Sequence, residues 1–67
     1  MLYYVNKNSQ PNGDHEVHES RCSWFSLVKD SEYLGAFDTC KPAVAKARSL
    51  SYNANGCAYC CSACHTK

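Results

Sequence analysis

The order of residues predicts an α+β fold in a single domain, residues 1–67, built from two to three short strands, one main helix and a short C-terminal helix. Three observations predict it. Aromatic runs at residues 2–5 and 33–37 have strand composition. An apolar stripe at helical spacing occupies residues 40–51. Six cysteines in 67 residues, four of them crowded into the last eleven, point to a chain that reinforces a small core by cysteine chemistry.

Leu2-Tyr3-Tyr4-Val5 reads as the first strand and stops at a polar stretch whose Pro11-Asn12-Gly13-Asp14 is turn chemistry. Gly13 can take positive φ, and Asn12 and Asp14 can fold back onto the backbone. Residues 15–22, His-Glu-Val-His-Glu-Ser-Arg-Cys, fit a loop or one irregular turn. Trp24-Phe25-Ser26-Leu27-Val28 is the most apolar run, compatible with strand or helix. Tyr33-Leu34-Gly35-Ala36-Phe37 reads as a second strand, with Leu34 and Ala36 on one face and Tyr33, Gly35 and Phe37 on the other. Gly35 within it suggests a bulge.

For the main helix, Asp38 or Thr39 serves as cap, and Pro42 is tolerated in the first turn because its missing N–H has no helical partner there. Ala43, Val44, Ala47 and Leu50 form the buried stripe, away from Lys41, Lys46 and Arg48. Asn53-Ala54-Asn55-Gly56 ends the helix, with Gly56 or an Asn supplying the left-handed residue. Residues 57–65 form a short terminal helix in this reading.

A chain of this length buries only about 60% of the surface its unfolded form exposes. Apolar bulk is thin, with one Trp, two Phe, one Met and no Ile. The first seven residues contain neither a basic n-region nor an apolar stretch of signal-peptide length, and nothing later reaches the length of a membrane span. The expectation is therefore a cytoplasmic monomer whose thiols are kept reduced, which favours metal over disulfides. Net charge is +1, with Lys and Arg scattered, so no basic run for nucleic acid is evident.

Two pairs have metal-ligand spacing: His18-x3-Cys22 and Cys57-Ala58-Tyr59-Cys60. Zinc takes four N or S ligands in a tetrahedron. One Zn²⁺ held by His18, Cys22, Cys57 and Cys60 would staple the segment before the apolar run to the end of the chain. Three thiolates and a neutral imidazole leave one net negative charge and no open position, a shell that suits structure more than catalysis. The other candidates remain open. Cys40 lines up with Ala43, Val44 and Ala47 and reads as core. Cys61 and Cys64 either pack, form a second Cys-x2-Cys, or oxidise. His15 and His65 read as solvated, although Cys61-x3-His65 is the rival ligand pair. In a helix, Cys57, Cys60, Cys61 and Cys64 would share one face.

In this order (strand, His-x3-Cys, Gly-x-Phe strand, helix with Ala-Val-x-x-Ala, Asn-Gly-Cys-x-x-Cys) the chain resembles the zinc-binding module at the N-terminus of the bacterial Ada DNA-repair protein, from Tyr3 to Cys60. It also resembles a group of short bacterial proteins that carry a Gly-Asp-His-Glu-Val-His stretch and no settled activity. The Ada resemblance implies a small antiparallel sheet and ligand roles for His18, Cys22, Cys57 and Cys60. Ada's methyl-accepting cysteine is replaced here by His18, so that repair chemistry is not expected.

The function expected is that of a structural zinc domain acting as a binding module for a macromolecular partner. A thiol-based redox or metal sensor using Cys60, Cys61 and Cys64 is the alternative. Nucleic-acid binding is a third reading, carried by the resemblance. Enzyme activity is not expected: Asp14, Glu16, Glu19 and the three His could be arranged catalytically, but the density of the acids with His15 and His18 in one polar stretch is ordinary surface composition.

Overall fold

Four strands, two more than the aromatic runs alone supply, form the sheet in the computed structural model, which describes residues 1–66. They are β1 (Leu2–Asn6), β2 (His15–Glu19), β3 (Ser31–Ala36) and β4 (Ala54–Gly56), in the order β3-β1-β2-β4. One helix, α1 (Cys40–Ser49), packs across them. The class is α+β, as expected. The antiparallel sheet of two to three strands is not what forms: β1 pairs antiparallel with β2 and β3, but β4 joins β2 in parallel.

Each element follows from local chemistry. Val5 opposite Val17 and the buried Tyr3 put one sheet face against α1, where Ala43, Val44 and Ala47 complete the core with Leu34. Small residues on the helix stripe allow the backbone to approach the sheet closely. The β1–β2 connection is the expected turn: Gly13 has φ +90°, its N–H donates to the Gln10 carbonyl at 2.8 Å, and the Asp14 N–H donates to Asn12 Oδ1 at 2.9 Å. Gly35, at φ +132°, lies where the β1–β3 register slips between Tyr3 and Tyr4, so the bulge read from the sequence is present. That bulge breaks the simple alternation. Leu34 is buried, Ala36 is exposed, and Phe37 turns back onto the core, 6.3 Å from the Tyr3 ring.

Three further expectations change. Residues 15–19 form a strand rather than a loop or irregular turn, with Val17 on the helix face and His18 on the other. The apolar run becomes a 3-10 turn, Ser23–Leu27, none of whose residues is buried. Its Phe25 stacks on Tyr4 at 4.8 Å and covers the second sheet face beside His18. Finally, α1 ends at Ser49 with Ser51, at φ 76°, supplying the left-handed residue, and Ala54-Asn55-Gly56 of the expected Asn53–Gly56 cap forms β4 instead. The terminal helix shrinks to one 3-10 turn, Ser62–Cys64.

Candidate metal centre

The parallel pairing of β2 and β4 builds the site. His15 lies opposite Ala54, Glu16 opposite Asn55 and Val17 opposite Gly56, and the Cys57 N–H donates to the Val17 carbonyl at 3.0 Å. Both strands therefore exit at the same end of the sheet. His18 and Cys22 leave from β2, Cys57 and Cys60 from β4. An antiparallel pair would have sent the two motifs to opposite ends.

One donor atom from each of His18, Cys22, Cys57 and Cys60 lies within 4.8 Å of all the others. Two edges of this figure are Cys22 Sγ to Cys57 Sγ, 3.9 Å, and Cys60 Sγ to His18 Nδ1, 4.0 Å. For Zn–S near 2.3 Å and Zn–N near 2.0 Å, a tetrahedron has S···S edges of about 3.8 Å and S···N edges of about 3.5 Å. With all separations inside 4.8 Å, inward movement of no more than about 1 Å along any edge would close the cage on an ion. These four residues could hold a metal ion, and the donor set, three sulfurs and an imidazole, fits zinc.

The surroundings suit that task. His18 is 2% exposed, and burial pushes its imidazolium down in pKa, with the Glu16 carboxylate opposing this only in part. The neutral ring presents Nε2 to Glu16 Oε1 at 3.4 Å and leaves Nδ1 facing the sulfurs. A carboxylate behind a histidine ligand fixes its tautomer and orientation. Burial also raises the Cys22 thiol, but hydrogen bonds from Cys60, from the Trp24 and Phe25 N–H groups and from Cys57 outweigh it and carry the net shift downward. Cys60 shifts strongly upward through burial and its bond to Cys22, although the Glu19 N–H reaches its sulfur at 3.4 Å. Without a cation, three thiols share protons at close range; a cation would replace those protons.

Cys61 stands beside the cage, fully buried, its sulfur 3.9 Å from Cys60 and its pKa raised by burial. Cys40 is buried as expected, but not as a free thiol: it is bonded to Cys64, and that bridge takes Cys64 away from both a second Cys-x2-Cys and a bond with Cys60 or Cys61. Such a bridge is uncommon in the reducing compartment expected above. No helix among the described residues is long and apolar enough to cross a membrane. Cys57, Cys60, Cys61 and Cys64 do not share a helical face, because the chain turns at Cys57–Cys61 instead of continuing as a helix. His15 Nδ1 bonds the Asn6 carbonyl at 2.9 Å and His65 Nδ1 the Gly56 carbonyl at 3.0 Å, which places both outside the cluster.

Gly56 has a role that turn chemistry does not predict. A Cβ there would lie 2.7 Å from the Cys61 carbonyl oxygen and 2.7 Å from Cys64 Cβ. Its missing side chain lets the Cys61–Cys64 turn close over β4. Glu16, an ordinary surface carboxylate by sequence, shares the His18 face because it lies two residues before it in strand β2. No family model matches the chain, and neither a curated protein nor a solved structure matches it.

Proposed function

We propose that this protein is a small structural zinc module, with one Zn²⁺ bound by His18, Cys22, Cys57 and Cys60, that serves as a binding module for a macromolecular partner. The observation that carries this reading is the meeting of four soft donors, from chain segments some forty residues apart, at one end of the sheet. Four protein ligands leave no position for substrate, as in structural rather than catalytic sites. Trp24 and Tyr59 stack at 5.0 Å while 44% and 71% exposed, Trp24 two residues after Cys22 and Tyr59 between Cys57 and Cys60. This stack gives the module an exposed aromatic surface for a partner.

Native mass spectrometry of protein produced with zinc tests the metal. One zinc per chain is expected, lost in Cys57→Ala and in His18→Ala; metal-free protein would overturn the proposal. The Trp24–Tyr59 stack provides a second readout. Removing zinc with a strong chelator should change Trp24 fluorescence in step with metal loss, because the stack spans the Cys22 and Cys60 segments.

A further inference from the structure

An open cavity of about 570 Å³ lies against α1, away from the four-donor cluster, and the Cys40–Cys64 bridge forms part of its wall. Lys41 and Arg48 line it, while Val44 and Ala63 supply apolar wall; no carboxylate lines it among the described residues. Arg48 donates one hydrogen bond through Nη2 to the Ala54 carbonyl at 3.3 Å, which leaves its other guanidinium N–H groups for a ligand. The cavity thus combines two fixed positive charges with a disulfide.

The two sulfurs are not equivalent. Cys40 is 8% exposed, whereas Cys64 is only partly buried. Cys40 is also the first residue of α1, where unsatisfied N–H groups and the helix dipole stabilise a thiolate. Exchange is faster when the departing thiolate is the more stable one. Access and leaving-group stability therefore agree on the direction of attack.

We propose that this cavity binds small anionic thiols, of the carboxylate-bearing kind, and that the Cys40–Cys64 disulfide exchanges with them. The thiolate, its carboxylates held by Lys41 and Arg48, attacks Cys64 Sγ. A bond forms between the ligand sulfur and Cys64 Sγ as the Cys40–Cys64 bond breaks, and Cys40 Sγ leaves with the electron pair. A second thiolate attacking the ligand sulfur releases the ligand as its own disulfide and Cys64 as a thiolate. Two ligand thiols are oxidised to one disulfide, and the protein disulfide is reduced to two thiols.

The test uses the full chain purified without reductant, treated with reduced glutathione (anionic) or cysteamine (cationic) at matched thiolate concentration. Acid quenching and intact-mass measurement follow the mixed disulfide, and peptide mapping locates it. At low salt, glutathione should react about tenfold faster than cysteamine, an electrostatic steering effect, with the adduct on Cys64. Lys41→Glu and Arg48→Gln, both at exposed positions, should each shrink that ratio, and so should high salt. Equal rates for the two thiols, a ratio unmoved by both substitutions, an adduct confined to other cysteines, or a Cys40–Cys64 pair found reduced would each overturn the proposal. None of these readouts depends on zinc at the other site.

Discussion

At His18 two demands meet that usually conflict: the ring must be buried, and one of its nitrogens must stay available. Glu16 helps to reconcile them by placing its carboxylate Oε1 3.4 Å from Nε2, on the side of the ring away from the sulfurs that Nδ1 faces. Glu16→Ala should weaken zinc binding by about ten- to a hundredfold, the usual effect of losing such a carboxylate. Glu16→Gln, which still offers an acceptor oxygen, should lose less. Competition against a chromophoric chelator measures both, and equal affinity in Glu16→Ala would show that the contact is incidental. Gly56 acts by absence. Gly56→Ala drives a methyl into backbone at 2.7 Å, which a rotamer change cannot relieve. A cost of about 1–3 kcal/mol is expected, as for other overpacked sites, read from urea unfolding of the metal-loaded protein. Retention of full stability would mean that the Cys61–Cys64 turn shifts freely.

Among the elements, β4 has the largest consequence for its size, since three residues decide that the two ligand pairs share an end of the sheet. Its attachment rests partly on Asp14, 8% exposed, whose carboxylate accepts from the side-chain amides of Asn53 at 3.0 Å and Asn55 at 3.3 Å. Asn55 Oδ1 in turn accepts from the Thr66 N–H at 3.1 Å. The β1–β2 turn, the entry to β4 and Thr66 are thereby joined. Asp14→Ala should destabilise the protein by about 1.5–3 kcal/mol, the range for hydrogen bonds to a charged group, and lower zinc affinity although Asp14 is not among the four clustered residues. Unchanged urea midpoint and zinc affinity would detach the network from the site. This element also shows what the sequence could and could not tell. The four clustered residues were legible because ligand spacing is local, and α1 because its stripe spans three turns. Strand β2 was hidden by having a single apolar residue, Val17, between ionisable ones. Strand β4 was hidden because Asn55 and Gly56 are turn formers, and their use in a strand depends on partners more than thirty residues away. Cys40 looked like core because it is core; its bond to Cys64 is a pairing that spacing does not specify.

On the scale of the whole molecule, the chain has one long-range covalent tie over a thin core, and the proposed zinc would add a second. The bridge joins residues 24 apart, and closing a loop of that size in the unfolded chain is worth about 3.5 kcal/mol in the chain-entropy account. The proposed zinc ties the Cys22 segment to Cys57 and Cys60, and structural zinc contributes apparent binding energies of about 10–16 kcal/mol in small modules. The magnitudes rank the ties: metal first, bridge second. Four states should therefore separate in far-ultraviolet circular dichroism and urea titration. Zinc-loaded protein should stay folded whether the bridge is intact or replaced in a Cys40→Ser/Cys64→Ser variant, with the variant lower by about 2–4 kcal/mol. Metal-free protein with its bridge should be marginal, and metal-free variant should lose the α1 signal. The core that remains, Tyr3, Val5, Val17, Leu34, Ala54 and the small helix residues Ala43, Val44 and Ala47, is too light to offset the ordering cost without a tie. A metal-free variant that kept its helix and unfolded cooperatively would reverse this ranking and return the stability of the fold to the sheet and helix alone.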